Sequence, residues 1–392
     1  MRCRIQGFVA PGFEGVAEAF GRNFADGREV GAAFSACLDG DLVLDLWGGL
    51  ADRRGNVAWQ ADTLAGVFSG TKGLVATCLL LLIERGQFEL DAPVCSYWPE
   101  FAANGKERIL VRDVVSHQAG LPGLLTPVSV EEATDDLRMA ALLAAQRPIR
   151  ASRAGPLYHA MTFGWLCGEI VRRVDGRSVG RFLREEIAEP LDLEVWIGLP
   201  ERFEHRVAVL ERDSGFEREQ SGLVLGPDDD EVAWSIWSNP PRFADGVLAA
   251  NLRRWHAAEI PASNGIVTAR SLARLYGCLA HGGELDGGQL LLPDTLEMAR
   301  GCLARGHDPY LGEVAFAVGF QVQTTQMELG PPADAYGHAG AGGSLHGAWP
   351  SLRTGFSYTP NLLSSLATAD PRAEALLDAL HTAIATEANP VS

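Results

Sequence analysis

Ser69-Gly70-Thr71-Lys72 runs without a break into Gly73-Leu74-Val75-Ala76-Thr77-Cys78-Leu79-Leu80-Leu81-Leu82-Ile83. A helix that starts near Ser69 places Lys72 one turn on, facing the same way as the serine hydroxyl. The apolar run behind it predicts that this helix is buried, so the ammonium loses its hydration. A desolvated lysine has a lowered pKa and can exist as a neutral amine that takes the serine proton. Ser69 could then attack a carbonyl with no histidine, and the helix start adds N–H donors and positive potential where an oxyanion would form. Four residues are a short pattern; the position after a hairpin and before a buried helix is what gives this one weight.

A second serine competes. Gly176-Arg177-Ser178-Val179-Gly180 matches the G-x-S-x-G elbow, which needs a strand leading into the turn. Here residues 164–174 have helical spacing, and Ser178 stands where an N-cap of the next helix, 179–188, would stand. Ser178 is therefore read as a cap between two helices.

Working outward, residues 14–27 predict an amphipathic helix, and the β-like runs 31–38 and 42–47 are joined by the turn Asp39-Gly40-Asp41. From Ser69 to about residue 188 the spacing is helical, over 73–85, 111–117, 131–146, 161–174 and 178–188. Residues 196–262 are irregular, with a Pro/Asp patch at 226–230 and tryptophans at 234, 237 and 255. After a helix at 269–281, strand-like runs return at 315–323, 344–349 and 354–359, and a last helix covers 372–385. β-like material thus lies at both ends of the chain. The pattern predicts an α+β protein: one antiparallel sheet assembled from N- and C-terminal segments, flanked by helices, with a helical domain inserted. The expected division is 1–68 with 262–392 as the sheet domain, and 69–261 as the helical domain, of which 196–261 is an irregular segment over the pocket.

Two further segments carry chemistry. In Pro156-Leu157-Tyr158-His159-Ala160-Met161, a tyrosine sits at a loop-to-helix junction, where a phenol could share a proton with Lys72 and pass it to a leaving group. In Tyr336-Gly337-His338-Ala339-Gly340-Ala341-Gly342-Gly343-Ser344, small residues let the backbone approach a substrate and an exposed N–H complete an oxyanion hole.

Together these three segments resemble the motifs of the serine β-lactamase and penicillin-binding superfamily, most closely its esterase branch, the family VIII carboxylesterases. LVRDVVSHQAGL at 110–121, EPLDL at 189–193 and IPASNGIVTA at 260–269 are similar to that branch as well, so the likeness spans about residues 30–360. It implies a β-lactamase-like fold with the site in the cleft between sheet and helices. It also implies Ser69 as the acylated nucleophile, Lys72 and Tyr158 as its proton partners, and the backbone N–H groups of Ser69 and Ala341 as the oxyanion hole. His338 and Gly340 of the third motif are expected to contact substrate, and Trp237, Trp255 and Asn264 to line the pocket. Two positions depart from the β-lactamase pattern: Ala160 stands where Asn or Ser supplies a polar side chain, and His338 where a lysine helps hold a carboxylate. The implied reaction is cleavage of small neutral carboxylic esters through an acyl-Ser69 intermediate. Amidase, D-aminopeptidase, acyltransferase and weak β-lactamase activity share the same acid–base set; a non-catalytic scaffold would be expected to lose Ser, Lys or Tyr. His117 is read as structural.

The formal charge of −17, from 50 acidic against 33 basic residues, disfavours nucleic acid and anionic lipid as partners. The N-terminal MRCRIQGFVAPGFEGVAEAF has no unbroken apolar stretch, and the run 74–83 is half a membrane span. A cytoplasmic location, a small-molecule ester as partner, no membrane association and an open oligomeric state are the expectations. Seven cysteines without a C-x-x-C pair, and histidines without an i, i+4 pair beside a carboxylate, predict neither metal nor other cofactor.

Overall fold

The computed structural model describes residues 4–216, 226, 228, 230–364 and 370–387. Cys3, and Pro227 and Asp229 of the Pro/Asp patch, lie outside them.

Three strands near the N-terminus, β1 (Gln6–Val9), β2 (Gly31–Leu38) and β3 (Asp41–Asp52), join six from the C-terminal part. These are β4 (Ala304–Asp308), β5 (Gly312–Phe316), β6 (Gln321–Val322), β7 (Tyr336–Ala339), β8 (Leu345–Trp349) and β9 (Thr354–Pro360). They form one antiparallel sheet in the order β1-β3-β2-β9-β8-β7-β6-β5-β4, with Val57–Ala58 paired off β3. The two halves of the chain meet where β2 pairs with β9, Ser35 opposite Ser357. Both faces of the sheet centre are covered, so β2 is buried along nearly its whole length and reads as a continuous run of small and apolar residues.

On one face lie α1 (Glu14–Ala25) and α11 (Pro371–Glu387), whose Phe20, Leu376 and Leu380 pack with Phe34, Trp349 and Tyr358 of the sheet. On the other lies α9 (Ala269–Ala280). It comes so close to β9 that a Cβ on Gly355 would sit 2.0 Å from the Gly277 nitrogen, so glycine is required there.

Between the two halves run α2 (Thr71–Glu84), α3 (Val111–Val115), α4 (Asp136–Ala145), α5 (Thr162–Asp175) and α6 (Val179–Leu183). Then come α7 (Glu231–Trp237) and α8 (Arg253–Ala257), with α10 (Pro293–Arg300) beyond α9. Every residue of α2 from Thr71 to Leu82 is buried, as its all-round apolar sequence demands. Among the described residues no helix is long and apolar enough to cross a membrane.

Several elements differ from the sequence reading. The helix expected over 131–146 is interrupted at Asp135, which is extended and accepts the Arg138 N–H as the N-cap of α4. The helix expected over 178–188 ends as α6 at Leu183 and continues as the π-turn Arg184–Ala188. The run 315–323 is the end of β5, a turn in which the Gly319 N–H donates to Ala317 and Val115 carbonyls, and β6. β1 and β4 were not anticipated: QGFV is exposed on an edge strand, and ARGHD carries too many polar residues to show an alternating pattern.

Candidate active site

Ser69 lies just before α2, with Gly70 as the N-cap. Phe68 has φ = 45°, a left-handed conformation that a bulky residue rarely takes unless its surroundings impose it. They do so through the Thr71 hydroxyl, which donates to the Phe68 carbonyl and accepts from Gly265 N–H at 2.7 Å, while Val67 N–H donates to Gly265 O at 3.0 Å. The chain is thereby bent sharply, with the serine at the bend.

Lys72 Nζ is 3.0 Å from Ser69 Oγ, 2.8 Å from the Ala160 carbonyl and 3.0 Å from the Ala262 carbonyl. The side chain is fully buried, no carboxylate among the described residues faces it, and burial holds its pKa well below that of a free lysine. A neutral amine has two N–H groups and one lone pair. Two carbonyls and one hydroxyl match that set, with the serine O–H donating to the lone pair. Ala160, which brings no polar side chain, thus contributes through its backbone.

Tyr158 comes from the strap ahead of α5. Its hydroxyl is hydrogen-bonded to Ser69, and burial raises its pKa, so it keeps its proton through the neutral range. Lys72 Nζ stands 4.9 Å from its ring centroid. The strap is fastened from both sides. Asp308, at the end of β4, accepts the Tyr158 N–H at 2.7 Å and those of Tyr310 and Leu311 at 2.8 and 3.1 Å. His117 accepts the His159 N–H on Nδ1 at 3.0 Å, and its ring lies 4.8 Å from that of Tyr158. His159 donates from Nδ1 to Leu157 O and accepts Leu121 N–H on Nε2; burial drops its pKa to about 4, which keeps the ring neutral.

The glycine-rich loop between β7 and β8 closes the site from the sheet side. A Cβ on Gly340 would fall 2.2 Å from both Ser344 Oγ and the Val67 carbonyl, so only glycine lets the loop lie against the segment that carries Ser69. Ser344 Oγ donates to Val67 O at 3.2 Å, and Arg372 Nη2 donates to Gly342 O at 2.9 Å. The next residue, Ala341, has an N–H that meets no acceptor among the described residues. His338 is buried beside Tyr158, and desolvation holds its pKa well below that of a free histidine.

Ser69, Tyr158, Trp237, His338, Gly340 and Ala341 line one cavity of about 480 Å³. Trp237 stacks on Tyr158 with ring centroids 6.3 Å apart. The expectation for Trp255 and Asn264 needs correction, because neither reaches the cavity lining. Trp255 is packed in the helical core, 5% exposed. Asn264 ties its own loop together, donating to Trp255 O and Ala258 O and accepting Ile260 N–H. That is the loop whose Ala262 carbonyl holds Lys72. His117, read as structural from the sequence, holds the Tyr158 strap through the His159 N–H; Asp308 was missed as a support, and the Asp-Pro pair, a turn former, was the available signal. Ser178 caps α6 and donates to Glu259 Oε1 at 2.6 Å, on a different part of the molecule from the cavity lining.

Since Asp308 is fully buried and accepts three backbone N–H groups, Asp308→Asn turns an amide N–H toward one of those donors. We expect kcat on a short p-nitrophenyl ester to fall by about tenfold or more as Tyr158 shifts. Native kcat in this variant would show that the strap holds without the carboxylate.

Fold and site define the class: an α+β protein with a serine, a buried lysine and a tyrosine in one cluster where the sheet meets the helical layer. The chain belongs to the beta-lactamase family, whose family model matches residues 14–381. It is 37% identical over 377 residues, 94% of this chain and 85% of the relative, to the Esterase/beta-lactamase LipL of Mycobacterium tuberculosis. Among solved structures, a penicillin-binding protein homolog from Caulobacter crescentus is 38% identical with a TM-score of 0.88, covering 97% of this chain and all of the other. A family VIII carboxylesterase is 36% identical, with the same TM-score and the same coverage.

Proposed function

We propose that this protein is a carboxylesterase that cleaves small esters by acyl transfer through Ser69. The observation that carries the reading is the buried Lys72 amine 3.0 Å from Ser69 Oγ, with carbonyls rather than carboxylates as its other partners. Lys72 takes the Ser69 proton as Oγ attacks the ester carbonyl, and the oxyanion is received by the Ser69 and Ala341 N–H groups. Tyr158 gives its proton to the leaving alkoxide and regains one from Lys72, leaving the acyl enzyme. Water then attacks, its proton returns through the same groups, and the acid and Ser69 are released. The likeness to the family VIII carboxylesterase and to LipL supports esters as the substrate class.

Lactams are the weaker substrates on this reading. His338 is neutral where a β-lactamase has a lysine to hold the substrate carboxylate. The test compares p-nitrophenyl butyrate with nitrocefin at steady state. We expect kcat/KM to favour the ester by about a hundredfold or more, and nitrocefin turnover equal to that of the ester would overturn the assignment.

A further inference from the structure

The cavity above Ser69 has a carboxylate-rich wall. Glu313, Glu328, Asp370 and Glu374 all line it, and among the described residues no lysine or arginine does. Two of the four are already matched, Glu313 by Arg305 at 3.1 Å and Asp370 by Arg372 at 2.7 Å. The side chains of Glu328, on the loop between β6 and β7, and Glu374, in the first turn of α11, have neither a hydrogen bond nor an ion pair among the described residues. Glu374 is exposed, whereas Glu328 is half-buried and desolvation lifts its pKa to about 7. An isolated carboxyl in such a place is costly unless something positive or hydrogen-donating comes to meet it.

A second, independent observation sits in the same cavity. His338 Nδ1 lies 2.7 Å from the Ala339 carbonyl, which places the ring proton on Nδ1 and leaves Nε2 an acceptor. That Nε2 is buried and meets no partner among the described residues. Acceptors without donors therefore occur both at the motif end of the cavity and along its acidic wall. A ligand carboxylate would meet them as repulsion, a neutral chain would leave them unmatched, and a positively charged N–H group would complement them.

We propose that this cavity selects esters that carry a cationic ammonium group, held by Glu328 and Glu374, and disfavours esters that carry a carboxylate. The inference rests on the reading of Ser69 as an ester-cleaving nucleophile and adds the charge of the preferred substrate.

The experiment compares isosteres. On the acyl side, p-nitrophenyl 6-aminohexanoate is set against p-nitrophenyl heptanoate and the mono-p-nitrophenyl ester of pimelate. On the alcohol side, acetylcholine is set against 3,3-dimethylbutyl acetate by titration of released acid. At low ionic strength we expect kcat/KM for the cationic member of at least one pair to exceed its neutral isostere by about tenfold, and the pimelate ester to fall below heptanoate. The ratio should shrink in about 0.5 M salt and drop toward one in the double variant E328Q/E374Q. The salt series uses the unmodified protein, so it stands even where the variant fails to fold. A cationic-to-neutral ratio near or below one in both pairs, with the neutral esters turned over, overturns the charge selection and leaves the esterase reading intact. A high ratio unmoved by E328Q/E374Q overturns the assignment to these two carboxyls. No turnover of any ester, with no labelling of Ser69 by a fluorophosphonate, is instead the failure of the underlying reading.

Discussion

Ser69→Ala is expected to reduce hydrolysis of p-nitrophenyl butyrate by about 10⁴-fold or more, while Ser178→Ala keeps most of it. Removing the Ser69 hydroxyl takes away the atom that forms the acyl bond, and the phenol beside it is no replacement, because the raised pKa of Tyr158 makes it a poor nucleophile at neutral pH. What remains is the cavity and its N–H donors acting on water. Ser178 stands in a different setting. Its hydroxyl accepts the Arg181 N–H at 3.4 Å and donates to Glu259 at 2.6 Å, so its loss weakens a helix cap and leaves a part-buried carboxylate short of one donor. About 1 kcal/mol of stability should go with it, seen as a drop of a few degrees in Tm. Steady-state rates and fluorophosphonate labelling of both variants check this. Activity surviving in Ser69→Ala and lost in Ser178→Ala would move the site and discard the mechanism.

The parts of this site that sequence could show are those set by local geometry. Ser69 and Lys72 are one helical turn apart, so the helix alone makes them neighbours, and the apolar residues that follow announce the burial that changes the lysine's chemistry. The same holds for Ser178 as a cap and for the hairpin of β2 and β3. Asp308 shows the opposite case. It reaches Tyr158 across 150 positions of sequence, and nothing in ARGHDPY distinguishes an aspartate that fastens an active-site strap from one that closes an ordinary turn. Trp255 and Asn264 were misplaced for a related reason. A tryptophan reads alike in a core and in a pocket, and an asparagine that satisfies its own loop reads like one that meets a ligand. The acidic wall could not be read at all, because Glu313, Glu328, Asp370 and Glu374 are scattered over 60 positions and meet only once β5, β6 and α11 are packed.

Lys72→Arg should be as damaging as Lys72→Ala, each lowering kcat by about 10³-fold or more. A guanidinium keeps its proton throughout the accessible pH range and so cannot receive one from Ser69, and it is too large for a site closed by the Ala160 and Ala262 carbonyls. The same assignment fixes the pH profile. Turnover requires Lys72 neutral, so the rate should fall as pH drops through its lowered pKa. Histidine should contribute no inflection between about pH 5 and 8, because burial depresses His117 and His338 well below the ordinary value, His159 to about 4 and His346 to about 3. Stability must follow the same group in the opposite state. Between the folded pKa and the unfolded value near 10.5 the unfolded chain binds a proton on Lys72 that the folded chain does not, so the lysine's contribution to stability rises with pH across that window. Lys72→Met removes that dependence. Its Tm relative to the wild type should therefore be highest near neutrality and decline as pH is raised toward 10, whatever fixed cost the two orphaned carbonyls add at every pH. A difference in Tm independent of pH, or near-native turnover in Lys72→Arg, would mean that the lysine is charged in the folded protein and that another group takes the serine proton.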